Sequence, residues 1–593
     1  TLQTAPEMLV WVNGREAGAI DKKHTYITLT RSAVPGTVYE IYAEGYAGHG
    51  VRNEGAGIVA HGEEPVPEPP QAQVKVGKSY WAVWNEELFQ VAMDYLTLFQ
   101  LVQKLPPKSL RAMKIVEGLK KFTYIADFEL PEPQLTESVV EAGKVLKPLL
   151  ACRNGSTMPD YTVFGQSHLD MAWLWTKDET MRKTARTYSN QLALMEEYED
   201  YLFLLCEPPI LEYLKNLYPN VYDRVLEKVR QGKFCPEGAM WIESDTHIPS
   251  GESLIRQMVW GKRWYRRELG VDSKMAWMPD TFGFSPALPQ ILQKSQIPYF
   301  ATQKLVRQDP ECQPFPYNVF WWEGLDGSRV LSHLYKKNNA NFQAGDLITR
   351  WEEDRVQQEN IDGLMFPFGF GDGGGGPTRE MVEMAKRCAD LEGAPRCHME
   401  HPVKFFERLG DVENVFRGEL YLAWHRGTLT SQAKTKSLIR QAENSLRQVE
   451  YFLSRQLLAG KKMPQNWRQR LDDLWKTLLF NQFHDIATGA SIKRVHETAE
   501  AELTNVCKGC EPMMRELLGE SDPESRKVAV YNPFSWDVVR RGVTIPAQST
   551  GYIDYDVPME RSVRGCYLEE EGCYALSNRH IICRIDKNGH LIS

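Results

Sequence analysis

The sequence predicts a multidomain chain in which an α/β domain is followed by an all-α region and flanked on both sides by β-structure. Three observations carry this reading. Between about residues 160 and 400, short apolar runs that end in polar loops ("YTVFGQSHLD", "KMAWMPD", "GLMFPFGFGD") alternate with helical segments. That alternation is the signature of a parallel sheet, open or closed into a barrel. From residue 426 to 520 the periodicity is helical nearly throughout, as in "SLIRQAENSLRQVEYFLSRQLL", and predicts a bundle. Both ends read as short strands punctuated by turns.

Taken in order, residues 1–75 form a small β-sandwich-like domain. "LVWVNGREAG" carries an Asn-Gly hairpin signal at Asn13-Gly14, and "TYITLT" alternates as a strand would. The proline-rich "EEPVPEPPQAQ" (63–73) closes this region as a linker. Residues 76–157 are helical. Leu88, Val91, Ala92, Tyr95, Phe99 and Val102 recur at helical spacing, and Pro106-Pro107 ends the run. The α/β domain then spans 158–424, the helical bundle 425–525, and the start of a second β-sandwich 526–593. The last residues, "RIDKNGHLIS", stop inside what reads as a hairpin, and an unpaired edge there predicts that the full protein continues. The sequence contains no internal repeat.

Composition excludes several classes. The chain has 593 residues, 42% hydrophobic and 25% charged, which is ordinary for globular protein. The net charge of −8 is spread without long runs, so there is no basic footprint for nucleic acid. No apolar stretch reaches the roughly 18 residues of a membrane span. The chain begins at Thr1 without a charged-then-apolar leader, which leaves a trimmed signal peptide open. Eleven cysteines are scattered, and only Cys507 and Cys510 form a CxxC, too few for a four-cysteine zinc site. Reduced thiols in a cytoplasmic protein are the expectation, against one glycosylation-type triplet at Asn154-Gly155-Ser156.

Candidate chemistry falls at strand ends, where loops of α/β folds converge. His168 and Asp170 follow the first run, Asp280 sits in "WMPDTFGFSP", and Asp372 in "FGFGDGGGGPT". A fourth candidate is "FNQFHDIATG", where His484 and Asp485 end a helix whose face carries Leu471, Leu474, Trp475 and Leu478. Taken singly, each has a structural alternative. His168 can be a core histidine bonded to Asp170, Asp280 an N-cap of the helix in "PALPQILQKS", and His484 a complement to a helix C-terminus. Gly369, Gly371 and Gly374 fit GxGxxG, with Asp390 and Glu392 nearly twenty residues on. Asp372 at the centre of that loop opposes a pyrophosphate, and no Lys-Ser/Thr pair follows to make a P-loop. Glycines that clear space for a bulky substrate around Asp372, with Pro377 opening the next helix, fit better. Two histidines and two aspartates make a complete ligand set for a borderline ion such as zinc, and His168, Asp170, Asp280 and His484 supply it. Asp372 is then left over to exchange a proton, and two carboxylates flanking a bond are the retaining-glycosidase arrangement. Trp173, Trp175, Phe282, Trp321 and Trp322 lie near these motifs as candidate sugar-stacking rings, or as core.

Five separated motifs, "HLDMAW", "WMPDTFGFSPALPQIL", "GFGDGGGGPTREM", "HRGTLTSQAKTKSLIRQAENSL" and "FHDIATGASI", closely resemble glycoside hydrolase family 38, the class II α-mannosidases, over residues 160–593. The glycine-flanked acid and "LVWVNG" resemble its cytosolic, fungal vacuolar and bacterial branch. The resemblance implies a (β/α)₇ barrel, a three-helix bundle and β-sandwich domains. It implies a divalent metal, chiefly Zn²⁺ with Co²⁺ or Mn²⁺ as alternatives, on His168, Asp170, Asp280 and His484. Asp280 would double as the nucleophile and Asp372 act as acid/base, while the ion grips the sugar's O2 and O3. Trp173, Phe282 and Asp485 would contact substrate. The implied activity is retaining exo-hydrolysis of α-linked mannose from oligosaccharides in the cytoplasm, with vacuolar delivery and a homo-oligomer left open. Phe483 where the Golgi branch has histidine, and Lys304 where arginine often sits, point away from Golgi trimming enzymes. A zinc amidase or sugar deacetylase, and a non-enzymatic carbohydrate-binding protein, are the competing expectations.

Overall fold

The computed structural model describes residues 7–46, 77–306, 315–336, 340–357, 361–519, 527–540, 542–554, 564–569, 571–578 and 581–592. The chain divides into a unit Thr1–Glu511 and a unit Pro512–Ser593.

At the N-terminus, strands Glu7–Val12 and Arg15–Ile20 pair antiparallel around Asn13-Gly14. Both turn residues have positive φ (51° and 76°), which the Asn-Gly pair accommodates and most residues do not. A third strand, Ile41–Tyr46, pairs along the other edge of Glu7–Val12. Among the described residues this is one three-stranded sheet, not a sandwich of two. "TYITLT" joins no strand: Tyr26 Oη donates to Glu380 Oε1 of the α/β part (3.3 Å), while Ile27 packs on Gly18 of the N-terminal sheet. The linker expected at 63–73 lies outside the described residues.

Helices Glu86–Val102, Leu110–Ile125, Gln134–Gly143 and Lys147–Leu150 follow. The first begins where the Asn85 side chain accepts from the Leu88 N–H. Its buried face is not the expected stripe. Val91, Met93, Asp94, Thr97, Leu98 and Leu101 are buried, whereas Phe99 is exposed. The rotation follows from charge: Arg387, on helix Arg379–Arg387, donates to Asp94 Oδ1 at 2.8 Å, so an acid takes a place in the interface that apolar periodicity would give to a hydrophobe.

The α/β part contains two five-stranded sheets. One runs Val415–Arg417, Val319–Glu323, Arg329–Leu334, Tyr299–Thr302, Met275–Trp277. The other has Asp160–Gly165 between Gly363–Phe368 and Phe203–Leu205, with Phe234–Pro236 beyond and Arg396–Met399 also on Asp160–Gly165. Every pairing is parallel except the hairpin of Val319–Glu323 with Arg329–Leu334. The three apolar runs read from the sequence are thus strands of parallel sheets, each buried along its length as a strand covered on both faces must be. Several bonds link the sheets among the described residues, Glu237 Oε2 accepting the Met275 N–H (2.9 Å) among them. The Gly238 N–H donates to Met275 O (3.0 Å), and His333 Nε2 accepts the Met365 N–H (3.2 Å). The core divides into one cluster around Phe284, Phe300, Phe320 and Trp322 and another around Phe164, Trp277, Tyr335 and Met365. Full burial of each such side chain contributes roughly 1.5–3 kcal/mol.

Three long helices follow: Ala433–Leu458, Trp467–Phe480 and Lys493–Leu518, the last running past Glu511. In the last, Val495, Ala499, Leu503, Val506 and Cys510 are buried at spacings of four, four, three and four, a single apolar stripe. The second unit holds the antiparallel pairs Lys527–Tyr531 with Thr550–Asp554 and Val538–Arg540 with Val543–Ile545. It also has a three-stranded meander, Arg564–Leu568, Cys573–Ser577 and Ile582–Asp586.

Candidate active site

Strand Asp160–Gly165 delivers His168 and Asp170, and strand Met275–Trp277 delivers Asp280 three residues past its end. His484 arrives from the helical region, but not as expected. Helix Trp467–Phe480 has already ended, and His484 opens a separate turn, His484–Ala487. It is therefore no complement to a helix C-terminus. Nor is Asp280 an N-cap: the helix that follows is Leu288–Lys294, capped at Ala287.

These four residues converge. One ligand atom from each of His168, Asp170, Asp280 and His484 lies within 4.8 Å of all the others. His168 Nε2 is 2.8 Å from Asp170 Oδ1, and His484 Nε2 is 3.5 Å from Asp170 Oδ1 and 3.7 Å from Asp280 Oδ2. The two imidazoles stack at 5.3 Å. His168, Asp170 and His484 are buried. Burial alone would push the imidazoles towards neutrality, but Asp170 and Glu243 raise His168 to about 10 and the same acids with Asp280 hold His484 well above its usual range. Burial raises Asp280, yet Lys304 and the two histidines outweigh it and hold its carboxyl below the usual range. Asp485 goes the other way, pushed up by burial and then by Asp170. So much acid around two imidazoles calls for added positive charge.

The residues present fit a divalent cation. His484 Nε2 is buried among these acids and has no hydrogen-bond partner among the described residues, while its Nδ1 donates to Glu243 O at 3.0 Å. His168 likewise points Nδ1 at a carboxylate, Glu243 Oε2, at 3.3 Å. An imidazole held from behind by an acceptor presents its other nitrogen as a ligand. Two histidines and two aspartates suit zinc among borderline ions.

Asp372 sits after strand Gly363–Phe368 with a left-handed φ of 59°, a conformation that costs a non-glycine residue roughly 1–2 kcal/mol. Its carbonyl accepts the Asp170 N–H (3.0 Å), which ties the loop of the spare acid to the cluster. The glycines beside it serve packing rather than open space. Gly374, Gly375 and Gly376 all have positive φ, and a Cβ on Gly374 would lie 2.4 Å from Thr187 Oγ1, one on Gly376 2.5 Å from Gln191 Nε2. The run lies flat on helix Lys177–Glu197. The next helix is Arg379–Arg387, capped at Thr378 rather than opened by Pro377.

Of the aromatic candidates, Phe282 is at the cluster. Its ring is 5.6 Å from that of His484 and 4.5 Å from that of His425, with Lys304 Nζ over it at 5.0 Å. Trp173 is half-buried, edge-on to Trp175. Trp175 and Trp322 are buried, and Trp321 packs on a core cluster, so these three rings are core. Their indole N–H groups donate to Thr180 Oγ1, Gly418 O and Val412 O respectively.

Two residues outside the predicted site set complete the geometry. Lys304 Nζ lies 2.9 Å from Asp280 Oδ1. Glu243, in the loop after strand Phe234–Pro236, accepts at Oε1 from the Asp280 N–H (2.6 Å) and the Thr281 N–H (2.8 Å). The Glu243 N–H donates in turn to Glu207 Oε1 (2.9 Å), whose carboxyl burial pushes up to about 7. Glu243 follows a strand end as the other acids do, but no sequence spacing ties it to them.

A family model for the glycosyl hydrolases family 38 N-terminal domain matches residues 159–426, and one for the alpha mannosidase middle domain matches 423–520. The chain is 30% identical over 617 residues to alpha-mannosidase 2C1 of Mus musculus, covering 99% of this chain and 58% of that protein. It is 33% identical over 453 residues to an alpha-mannosidase of Saccharomyces cerevisiae, covering 72% and 41%. It thus spans about half the length of the curated relatives it matches. In fold it is similar to an alpha-mannosidase from Enterococcus faecalis V583, with a TM-score of 0.54 at 19% identity over 64% of this chain and 46% of that one. The two family models abut across most of the α/β and helical parts, and every relative just described is an alpha-mannosidase: the chain belongs to glycoside hydrolase family 38.

Proposed function

We propose that this chain carries the catalytic centre of a retaining exo-α-mannosidase acting on α-mannoside oligosaccharides. The observation that carries the reading is the gathering of His168, Asp170, Asp280 and His484 within 4.8 Å, with the loop of a further acid, Asp372, bonded to it. The two parallel sheets, linked through Gly238 and His333, are consistent with the family's (β/α)₇ barrel, and the three long helices with its bundle.

In this reading the four residues would hold a divalent cation, Zn²⁺ before Co²⁺ or Mn²⁺, which would supply a Lewis acid for sugar hydroxyls and a template for the ring. Asp280, kept ionised by Lys304, attacks the anomeric carbon as the glycosidic bond breaks, giving a glycosyl-aspartate. Asp372 donates a proton to the leaving oxygen, then takes one from the water that releases mannose and restores Asp280. Phe282 and Trp173 pack on the sugar, and Asp485 bonds its hydroxyls. Ten of the eleven cysteines lie among the described residues and none is paired there, and the Asn154 amide donates to Leu391 O and Ala394 O. Both support a cytoplasmic site of action.

The test is digestion of a linkage-defined mannobiose panel by the full chain, with and without chelator, beside Asp280→Ala and Asp372→Ala. Asp280→Ala is expected to remove turnover and weaken metal binding. Asp372→Ala is expected to block poor leaving groups while keeping the metal. A fluorinated mannosyl donor should label the peptide containing Asp280. Full activity in either variant, or acetate release with no adduct, refutes the assignment.

A further inference from the structure

We propose that Glu243 is the positioning residue of this centre, setting both its cation affinity and the placement of Asp280. The inference rests on the cluster being a cation site, as proposed above.

Three of the four ligands are held by this one residue. Its Oε2 lies 3.3 Å from His168 Nδ1. Its backbone carbonyl accepts from His484 Nδ1 at 3.0 Å. Its Oε1 accepts from the Asp280 N–H, the Thr281 N–H and Thr281 Oγ1 at 2.6, 2.8 and 3.1 Å. The side chain is buried, so water does not replace these bonds.

The chemistry of the partners fixes the consequence. A carboxylate and a carbonyl only accept, so both imidazoles carry a proton on Nδ1 and turn Nε2 towards the centre of the cluster. The three donors on Oε1 pin the turn that follows strand Met275–Trp277, and with it the Asp280 backbone. Glu243 is in turn held from behind by Glu207, whose φ of 62° is left-handed for a residue with a side chain. Strain of that kind persists where surrounding contacts over-determine the backbone, as they do beside functional sites.

Glu243→Gln isolates the effect, because it changes one oxygen to an NH₂ with almost no change of volume. If the amide oxygen keeps the bonds of Oε1, an NH₂ faces His168 Nδ1. His168 then accepts there and carries its proton on Nε2, aimed at the cation. If the amide is turned over, the NH₂ meets the Asp280 and Thr281 donors instead. Either way the ligand set is spoiled while the fold keeps its packing.

The measurements are the zinc affinity of the metal-free full chain by competition with a chromophoric chelator, the visible spectrum of the Co²⁺-loaded chain, and melting of the metal-free chain. Glu243→Gln is expected to weaken zinc roughly 10- to 100-fold, as loss of a residue supporting a metal ligand does. The cobalt bands should change, and any fall in metal-free melting should be smaller than the affinity loss requires. Glu243→Asp, which keeps the charge but withdraws it by one carbon, should fall between the two. Zinc bound as tightly as in the parent with the same cobalt spectrum would overturn the proposal alone. A metal-free chain that melts lower in step with the affinity loss would make Glu243 merely structural and overturn it too. A parent chain that binds no zinc removes the cation reading itself, and this proposal with it.

Discussion

His333 joins the two sheets, and its protonation should unfasten them. Its Nδ1–H donates to Asn318 O (3.0 Å) and its Nε2 accepts the Met365 N–H (3.2 Å), so only the neutral ring with the proton on Nδ1 makes both bonds. The ring is fully buried, and burial lowers its pKa from 6.5 to about 4, the Asn318 bond opposing only weakly. The folded chain therefore binds fewer protons than the unfolded one between those values, and stability rises with pH across that window. The contribution is intact above pH 6.5 and is lost progressively on acidification to about 4, by about 3 kcal/mol in all. His333→Leu removes the titration but leaves the Met365 N–H unsatisfied, at roughly 1–3 kcal/mol, while Asn318 O keeps the Leu334 N–H (2.8 Å). Urea unfolding at a series of pH values, read by hydrogen exchange of the peptide 363–368, measures both. The parent should exceed the variant at pH 7, and the gap should narrow by about 3 kcal/mol towards pH 4. A gap that stays constant with pH would refute the argument that a buried neutral imidazole splices the sheets.

Other expectations concern the centre itself. Lys304→Met removes the cation 2.9 Å from Asp280. It should move the acid limb of the kcat/KM profile to higher pH and lower stability by roughly 3 kcal/mol, as breaking a buried pair does; an unchanged pH profile would contradict the pairing. Gly374→Ala forces a Cβ to 2.4 Å from Thr187 Oγ1 at a φ of 86°. Melting should fall by the equivalent of about 1–2 kcal/mol or more, and kcat should drop more than KM rises, because the loop of Asp372 is displaced. Chelation should abolish turnover and lower the melting temperature. A cation held at 1,000 times its Kd accounts for about 4 kcal/mol, and added zinc should restore both.

Local order was legible from the residues alone. Alternating apolar runs mark the strands at 160–165, 275–277 and 363–368, because burial on both faces leaves each strand no polar side. Asn13-Gly14 marks its hairpin because few other pairs take two positive φ angles. His168, Asp170, Asp280 and His484 stood out because their types form a ligand set, wherever the chain places them. Tertiary structure decided what depends on distant partners. Asp94 turned the face of its helix because Arg387 waits nearly three hundred residues away, and Trp321 and Trp322 became core because the strand they share lies inside a sheet. Glycines 374–376 lie against Thr187 and Gln191, contacts that no local pattern encodes. Glu243 is the clearest case. A carboxylate gains its role only when a histidine, an aspartate's backbone and a second histidine's ring arrive around it, and each is brought there by a different part of the chain.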